Sequence, residues 1–158
     1  MDDIQEIGIN EKIDELELSM MACPPVNCPL IHKFVPGMYI REIIMPAGTL
    51  ITSMIHKTKH PYFVMQGKVS VYSENFGEQF IEAPYYGITL PDTRRVLYIH
   101  ENCVWITCHK TNIQPKDETE ESILEAVGLI EDEILDKREN PLLGGRIKNN
   151  VIYKTIEQ

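Results

Sequence analysis

The stretch Pro46-Ala47-Gly48-Thr49-Leu50-Ile51-Thr52-Ser53-Met54-Ile55-His56-Lys57-Thr58-Lys59-His60-Pro61-Tyr62-Phe63-Val64-Met65-Gln66-Gly67 carries most of the information in the chain. It reads as two β-rich runs separated by a short turn, Lys57-Thr58-Lys59, with a histidine on either side of the turn. Two imidazoles flanking a tight hairpin can come within metal-binding distance, and neutral imidazole suits zinc, iron, nickel and copper.

Outward from this stretch the punctuation is that of an all-β domain. Pro36-Gly37, Pro46-Ala47-Gly48, Gly67, Asn75-Phe76-Gly77, Pro84, Gly87, Pro91-Asp92 and Glu101-Asn102 mark turns about one strand length apart between His32 and Thr111. The runs between them are Met38 to Met45, Thr49 to His56, Tyr62 to Tyr72, Gln79 to Ala83, Arg95 to His100 and Val104 to His109. Short strands at this spacing predict a mainly β sandwich or barrel. Residues 1–30 form an N-terminal arm in which Asn10 would cap a short helix bearing Ile13, Leu16 and Met20 on one face. The barrel is expected over 31–112, with a helix and tail over 113–158. In that last part Asp117 and Glu120 are placed as a capping box, and Ile123, Leu124, Val127, Ile130, Ile134 and Leu135 form one stripe. Gly128 should weaken or split this helix, Asn140-Pro141 should stop it, and Val151 to Ile156 alternates like a strand.

A chain of 158 residues suits one domain with short appendages. A formal charge of −9 disfavours a nucleic acid partner, whose affinity comes mainly from Lys and Arg displacing counterions. No apolar run approaches the ~18 residues of a membrane span, so no membrane is expected. The start Met1-Asp2-Asp3-Ile4-Gln5-Glu6 lacks the basic and apolar regions of a secretory signal, and the expected location is cytoplasmic. Cys23, Cys28, Cys103 and Cys108 form two C-x4-C pairs. Cys103 and Cys108 lie five apart on a strand and point to opposite faces, which favours free thiols over a shared metal or a disulfide.

The opening stretch resembles the first motif of the cupin superfamily, G-x5-H-x-H-x3,4-E-x6-G, and residues 87–95 resemble a degraded second motif, roughly G-x5-P-x-G-x2-H. Aligned on Gly48 and Gly67, His56 falls on the second histidine, Met54 on the first and His60 on the glutamate. Gly87 opens the second motif, Pro91-Asp92-Thr93 forms its turn, and Arg95 takes the place of its histidine. The resemblance spans about residues 37 to 110 and implies a cupin-type β-barrel, a jelly-roll-like double-stranded β-helix. The succession His32-Lys33-Phe34-Val35-Pro36-Gly37, Ala83-Pro84-Tyr85, Thr93-Arg94-Arg95 and Val104-Trp105-Ile106-Thr107-Cys108-His109 is similar to small single-domain cupin-like proteins of bacteriophages and prophages. That likeness implies the host cytoplasm or a virion, with other phage proteins as partners.

Alternation places Thr52, Met54 and His56 on one strand face and Trp105, Thr107 and His109 on another. If both face inward, His56, His60 and His109 converge as ligands for one divalent transition metal, zinc, iron, nickel or manganese, with Arg95, Tyr62 and Met54 at the ligand. The alternative is hydrogen-bonded polar histidines at the barrel mouth. A buried arginine at Arg94 or Arg95 needs a partner, either Glu42 or Glu82 or an anionic ligand. Two functions remain open: a phage-type accessory protein serving binding or assembly, or a metal-dependent oxygenase, isomerase or lyase. In the enzyme, Arg95 would anchor an acid group and Tyr62 would donate a proton. Large apolar residues on both faces of several strands predict self-association, most simply a two-fold dimer.

Overall fold

In a computed structural model that describes residues 8–136 apart from Pro25 and Asn75, the chain forms a helix, seven antiparallel strands and a second helix. They are α1 (Ile9–Met21), β1 (Leu30–Val35), β2 (Met38–Met45), β3 (Leu50–Thr52), β4 (His60–Ser73), β5 (Gly77–Glu82), β6 (Tyr85–Thr89), β7 (Arg95–Lys110) and α2 (Glu120–Ile134). The class is therefore mainly β with a C-terminal helix. The strands form one sheet in the order β1-β2-β7-β4-β5, with β3 added to β7 and β6 to β4. The hydrogen-bonded ladder is not closed, since among the described residues nothing pairs β1 with β5.

Two long strands organise the sheet. β4 and β7 pair from Tyr62↔Thr107 to Ser73↔Arg95, so each belongs to two flanking sets of strands. The C-terminal half of β7 carries β2, and the first half of β4 carries β6; the N-terminal half of β7 carries β3, and the second half of β4 carries β5. Both halves turn side chains into one core that includes Met45, Ile51, Val64, Val71, Ile99 and Trp105. Full burial of such a side chain stabilises by about 2 kcal/mol.

The turns expected at Gly67 and Glu101-Asn102 are bends within these strands, and the two runs read as Arg95 to His100 and Val104 to His109 are one strand. The register shifts between Val64 and Val69 mark bulges. There Gly67, at φ +102, lies so close to the opposite strand that a Cβ would collide with the Asn102 carbonyl oxygen. A bulge, like a turn, calls for glycine, and the sequence signal for the two is the same. Gly87 likewise lies inside β6, where a Cβ would stand 2.7 Å from the Tyr62 hydroxyl. The run Thr49 to His56 shortens to β3, leaving Ser53, Met54 and Ile55 outside any strand.

The helices cover the sheet. α1 starts after Gly8, not at Asn10, and the Gly8 amide donates to Glu11 Oε1 at 3.0 Å. Its stripe buries Ile13 and Met20 together with Glu17. α2 is capped by Thr119, whose Oγ1 accepts from the Ser122 amide at 3.2 Å. Asp117, the expected cap, lies two residues before it, and its Oδ1 accepts from the Thr119 amide at 3.0 Å. The helix runs through Gly128 unbroken and buries Ala126, Val127, Ile130 and Ile134, while Leu124 is exposed. With Tyr39 and Leu135 the last three of these buried residues form a second core, against which Phe34 and Met54 pack. Asn140-Pro141 and Val151 to Ile156 lie outside the described residues. Among the described residues no helix is long and apolar enough to cross a membrane. All four cysteines are free thiols, and burial pushes Cys28 and Cys103 up to about 12.

One substitution type should have opposite effects at two glycines. Gly67→Ala meets backbone at a positive φ and should cost at least about 2 kcal/mol, whereas Gly128→Ala, in open space within a helix, should add roughly 0.5–1 kcal/mol. Urea unfolding of both variants checks this, and equal midpoints would contradict it.

Candidate metal centre

His60 opens β4, His109 lies near the end of β7, and His56 sits on the loop between β3 and β4. β4 and β7 are neighbours, so His60 and His109 are brought together by the sheet. His56 needs separate support, because its segment has lost its strand. That support comes from the end of α2: the Lys57 amide donates to the Ile134 carbonyl at 2.7 Å, and the Asp136 amide to the Ile55 carbonyl at 2.8 Å. These bonds bracket His56, which forms an isolated bridge with Leu135.

The three rings meet. Centroids are 4.5 Å apart for His56 and His60, 4.5 Å for His60 and His109, and 5.2 Å for His56 and His109. One ligand-type atom from each lies within 4.8 Å of the others. Each ring also has one nitrogen committed to a protein oxygen: His56 to the Met54 carbonyl, His60 Nδ1 to the Thr58 carbonyl at 3.1 Å, and His109 Nε2 to Thr107 Oγ1 at 2.9 Å. A carbonyl only accepts, so on His56 and His60 the bonded nitrogen carries the proton and the second keeps its lone pair, whereas the Thr107 hydroxyl can accept from His109 or donate to it. On His109 that second atom, Nδ1, is buried without a hydrogen-bond partner among the described residues. An orphaned polar atom inside a protein calls for an explanation, and a bound cation is one.

Burial lowers the pKa of all three imidazoles, to about 2 for His56 and about 3 for His109. The neighbouring imidazoles and Arg41 add to the shift at His56, and His60 and Arg41 add to it at His109. The rings are neutral near pH 7, the form that binds metal. Behind His109 stacks Tyr39, at 5.9 Å, whose hydroxyl meets His32 Nδ1 at 2.7 Å. Tyr39 is itself packed by α2, so the helix supports both His109 and His56.

His56 and His60 open on a cavity of about 100 Å³, whose wall also holds Arg41, Met54, Thr89, Arg95 and Trp105. Of the residues expected at the ligand, Arg95 and Met54 line it. Tyr62 stands behind, stacked on Trp105 at 4.7 Å and under the Arg95 guanidinium at 4.9 Å. The expected acids, Glu42 and Glu82, do not reach Arg95. Its Nη1 donates to Thr89 Oγ1 at 3.0 Å, and no carboxylate among the described residues lies within ion-pair distance. Arg94, in contrast, turns to α1, where it meets Asp14 at 2.7 Å and Glu17 at 2.9 Å. Glu17 also accepts from the Thr52 hydroxyl. Glu17, Tyr39 and Thr89 were not found from sequence, although an acid inside the apolar stripe Ile13, Leu16, Met20 was a visible signal for the first.

No family model matches the chain, and no curated protein matches it. Among solved structures it is similar to a double-stranded β-helix protein from Klebsiella pneumoniae, at 15% identity and TM-score 0.46 over 56% of this chain and 82% of that one. It is also similar to a cupin-2 domain protein from Shewanella frigidimarina, at 10% identity and TM-score 0.43 over 66% and 94%. A third is the DMSP lyase DddQ from Ruegeria pomeroyi, at 9% identity and TM-score 0.47 over 56% of this chain and about half, 49%, of the lyase.

The two arginines should differ in their effect on stability. Glu17→Ala strips a buried cation of a partner and should cost about 3 kcal/mol or more, while Arg95→Gln breaks no ion pair and should cost less than about 1 kcal/mol. Equilibrium denaturation measures both, and the reverse order would refute these pairings.

Proposed function

We propose that the chain is a cupin-type metal-dependent enzyme acting on a small polar molecule, with His56, His60 and His109 as the metal ligands. The observation that carries this reading is the set of three neutral imidazoles, each with one nitrogen bonded to a protein oxygen and each with a ligand-type nitrogen within 4.8 Å of those of the other two. Three imidazoles with no carboxylate or thiolate form an adequate set for an open, catalytic-type centre. A divalent transition metal bound there, zinc, iron, nickel or manganese, supplies Lewis acidity or redox chemistry.

The remaining groups have roles of their own. The cavity beside His56 and His60 gives a substrate its place, and Met54 and Trp105 give that place apolar walls. α2 covers Tyr39 and keeps water from the back of His109. Burial raises the pKa of Tyr62, so its hydroxyl keeps its proton in neutral solution, and from behind the wall its ring supports the Arg95 guanidinium. Oxygenase, isomerase and lyase chemistries all suit such a centre. The accessory or assembly reading rests on a different feature, the apolar groups left exposed on the outer sheet face, including Phe80 at 60% and Tyr86 at 71%. That face names no partner, whereas the imidazole cluster names its ligand chemistry.

Elemental analysis of untagged protein, purified without added metal, should find close to one transition metal per chain. His60→Ala and His109→Ala, each checked for folding, should lower that content about tenfold or more. A folded wild-type protein that holds no metal and takes none up from micromolar zinc, iron, nickel or manganese would overturn the proposal.

A further inference from the structure

We infer that the cavity beside the three histidines is a seat for a small carboxylate, held by Arg95 with its tail against Trp105 and Leu97. The inference deepens the enzyme reading above by naming its substrate class, and it rests on that reading only for the chemistry that follows binding.

Three observations support it. Arg95 is 7% exposed and lines the cavity, yet its contacts among the described residues are the Thr89 hydroxyl and tyrosine. A buried guanidinium without a counter-charge is costly, and its ordinary complement is a planar, bidentate carboxylate. Second, Arg94 is equally buried at 8% but is met by two carboxylates from α1, so this fold supplies acids where a cation is only structural. Third, the cavity wall carries Arg95 and no carboxylate, in a chain with 24 acidic residues against 15 basic ones. No acid in that wall offsets the Arg95 charge, which leaves it for a ligand.

The wall also sets size and shape. A volume of about 100 Å³ holds several waters or a short aliphatic acid, at roughly 10–15 Å³ per enclosed water. Met45, Ile51 and Leu97 are apolar, so a second charge on the ligand would meet no partner on that side. With the carboxylate on Arg95, the body of such a molecule lies between the guanidinium and the imidazoles of His56 and His60. That arrangement orients it for chemistry at the histidine end.

The single tryptophan, Trp105, stands in the cavity wall, so its fluorescence reports occupancy. The experiment titrates chelator-treated protein with propionate and with the isosteric, neutral propionamide at constant ionic strength. Propionate should give a saturable change with at least about tenfold preference over the amide, in keeping with a charge-assisted bidentate pair. Arg95→Gln should abolish the preference. Thr89→Val, which keeps the cation and removes the hydroxyl that orients it, should weaken it and serves as the second variant if the first does not fold. Equal binding of acid and amide, binding of neither, or an unchanged preference in Arg95→Gln would overturn the inference. Metal uptake, measured separately, tells the two readings apart: carboxylate preference without metal uptake sinks the metal centre alone, and metal uptake without the preference sinks the carboxylate seat alone.

Discussion

Three imidazoles cannot share a buried space unless each is neutral and each has one nitrogen satisfied, and the architecture around them follows from that requirement. Charging any one of them would place a cation against neighbouring rings and an arginine, Arg41 for His56 and His109 and Arg95 for His60, in a low-dielectric interior. Neutral rings still need their nitrogens bonded: the Met54 and Thr58 carbonyls accept from His56 and His60, and the Thr107 hydroxyl meets His109 Nε2. Two of those partners lie on the loop between β3 and β4, and the third shares a strand face with the ring it holds. The backbone bonds from Ile134 and Asp136 hold that loop in place, so α2, which is remote in sequence, becomes part of the site.

Electrostatic contrast runs through the same region. Adjacent arginines, similarly buried, have opposite surroundings: Arg94 closes an ion-pair cluster that fastens α1 to the sheet, and Arg95 faces a cavity with no acid in its wall. The first arrangement stabilises the fold, and the second leaves positive potential beside three electron-pair donors. A metal and an anion are complementary occupants of such a place, because each offsets the charge brought by the other.

Much of this was legible in the chain. Turn residues at strand spacing located β2 to the residue and most of β4 and β5, since proline and glycine are favoured where a strand gives way to a turn. Bulges were misread as turns at Gly67 and at Glu101-Asn102 because both need the same permissive backbone, and only a partner strand decides between them. Strand β1 and strand β6 were not separated from their flanking turns; Gly87, read as a turn, is an accommodation for Tyr62. The histidines were found by motif spacing and alternation. His56, however, is held by a bridge to Leu135 and not by strand pairing, a long-range contact that no local pattern encodes. The partner of Arg94 was likewise beyond local reading, since Glu17 lies 77 residues away.

The most direct test is X-ray absorption at the metal edge of protein loaded with one equivalent of zinc, which counts and types the ligands without reference to activity. Imidazole nitrogens at ~2.0–2.1 Å should dominate, three per metal with the multiple scattering of intact rings, and the signal should fall to two in folded His109→Ala. Sulfur scatter at ~2.3 Å, or a spectrum unchanged in His109→Ala, would contradict the account.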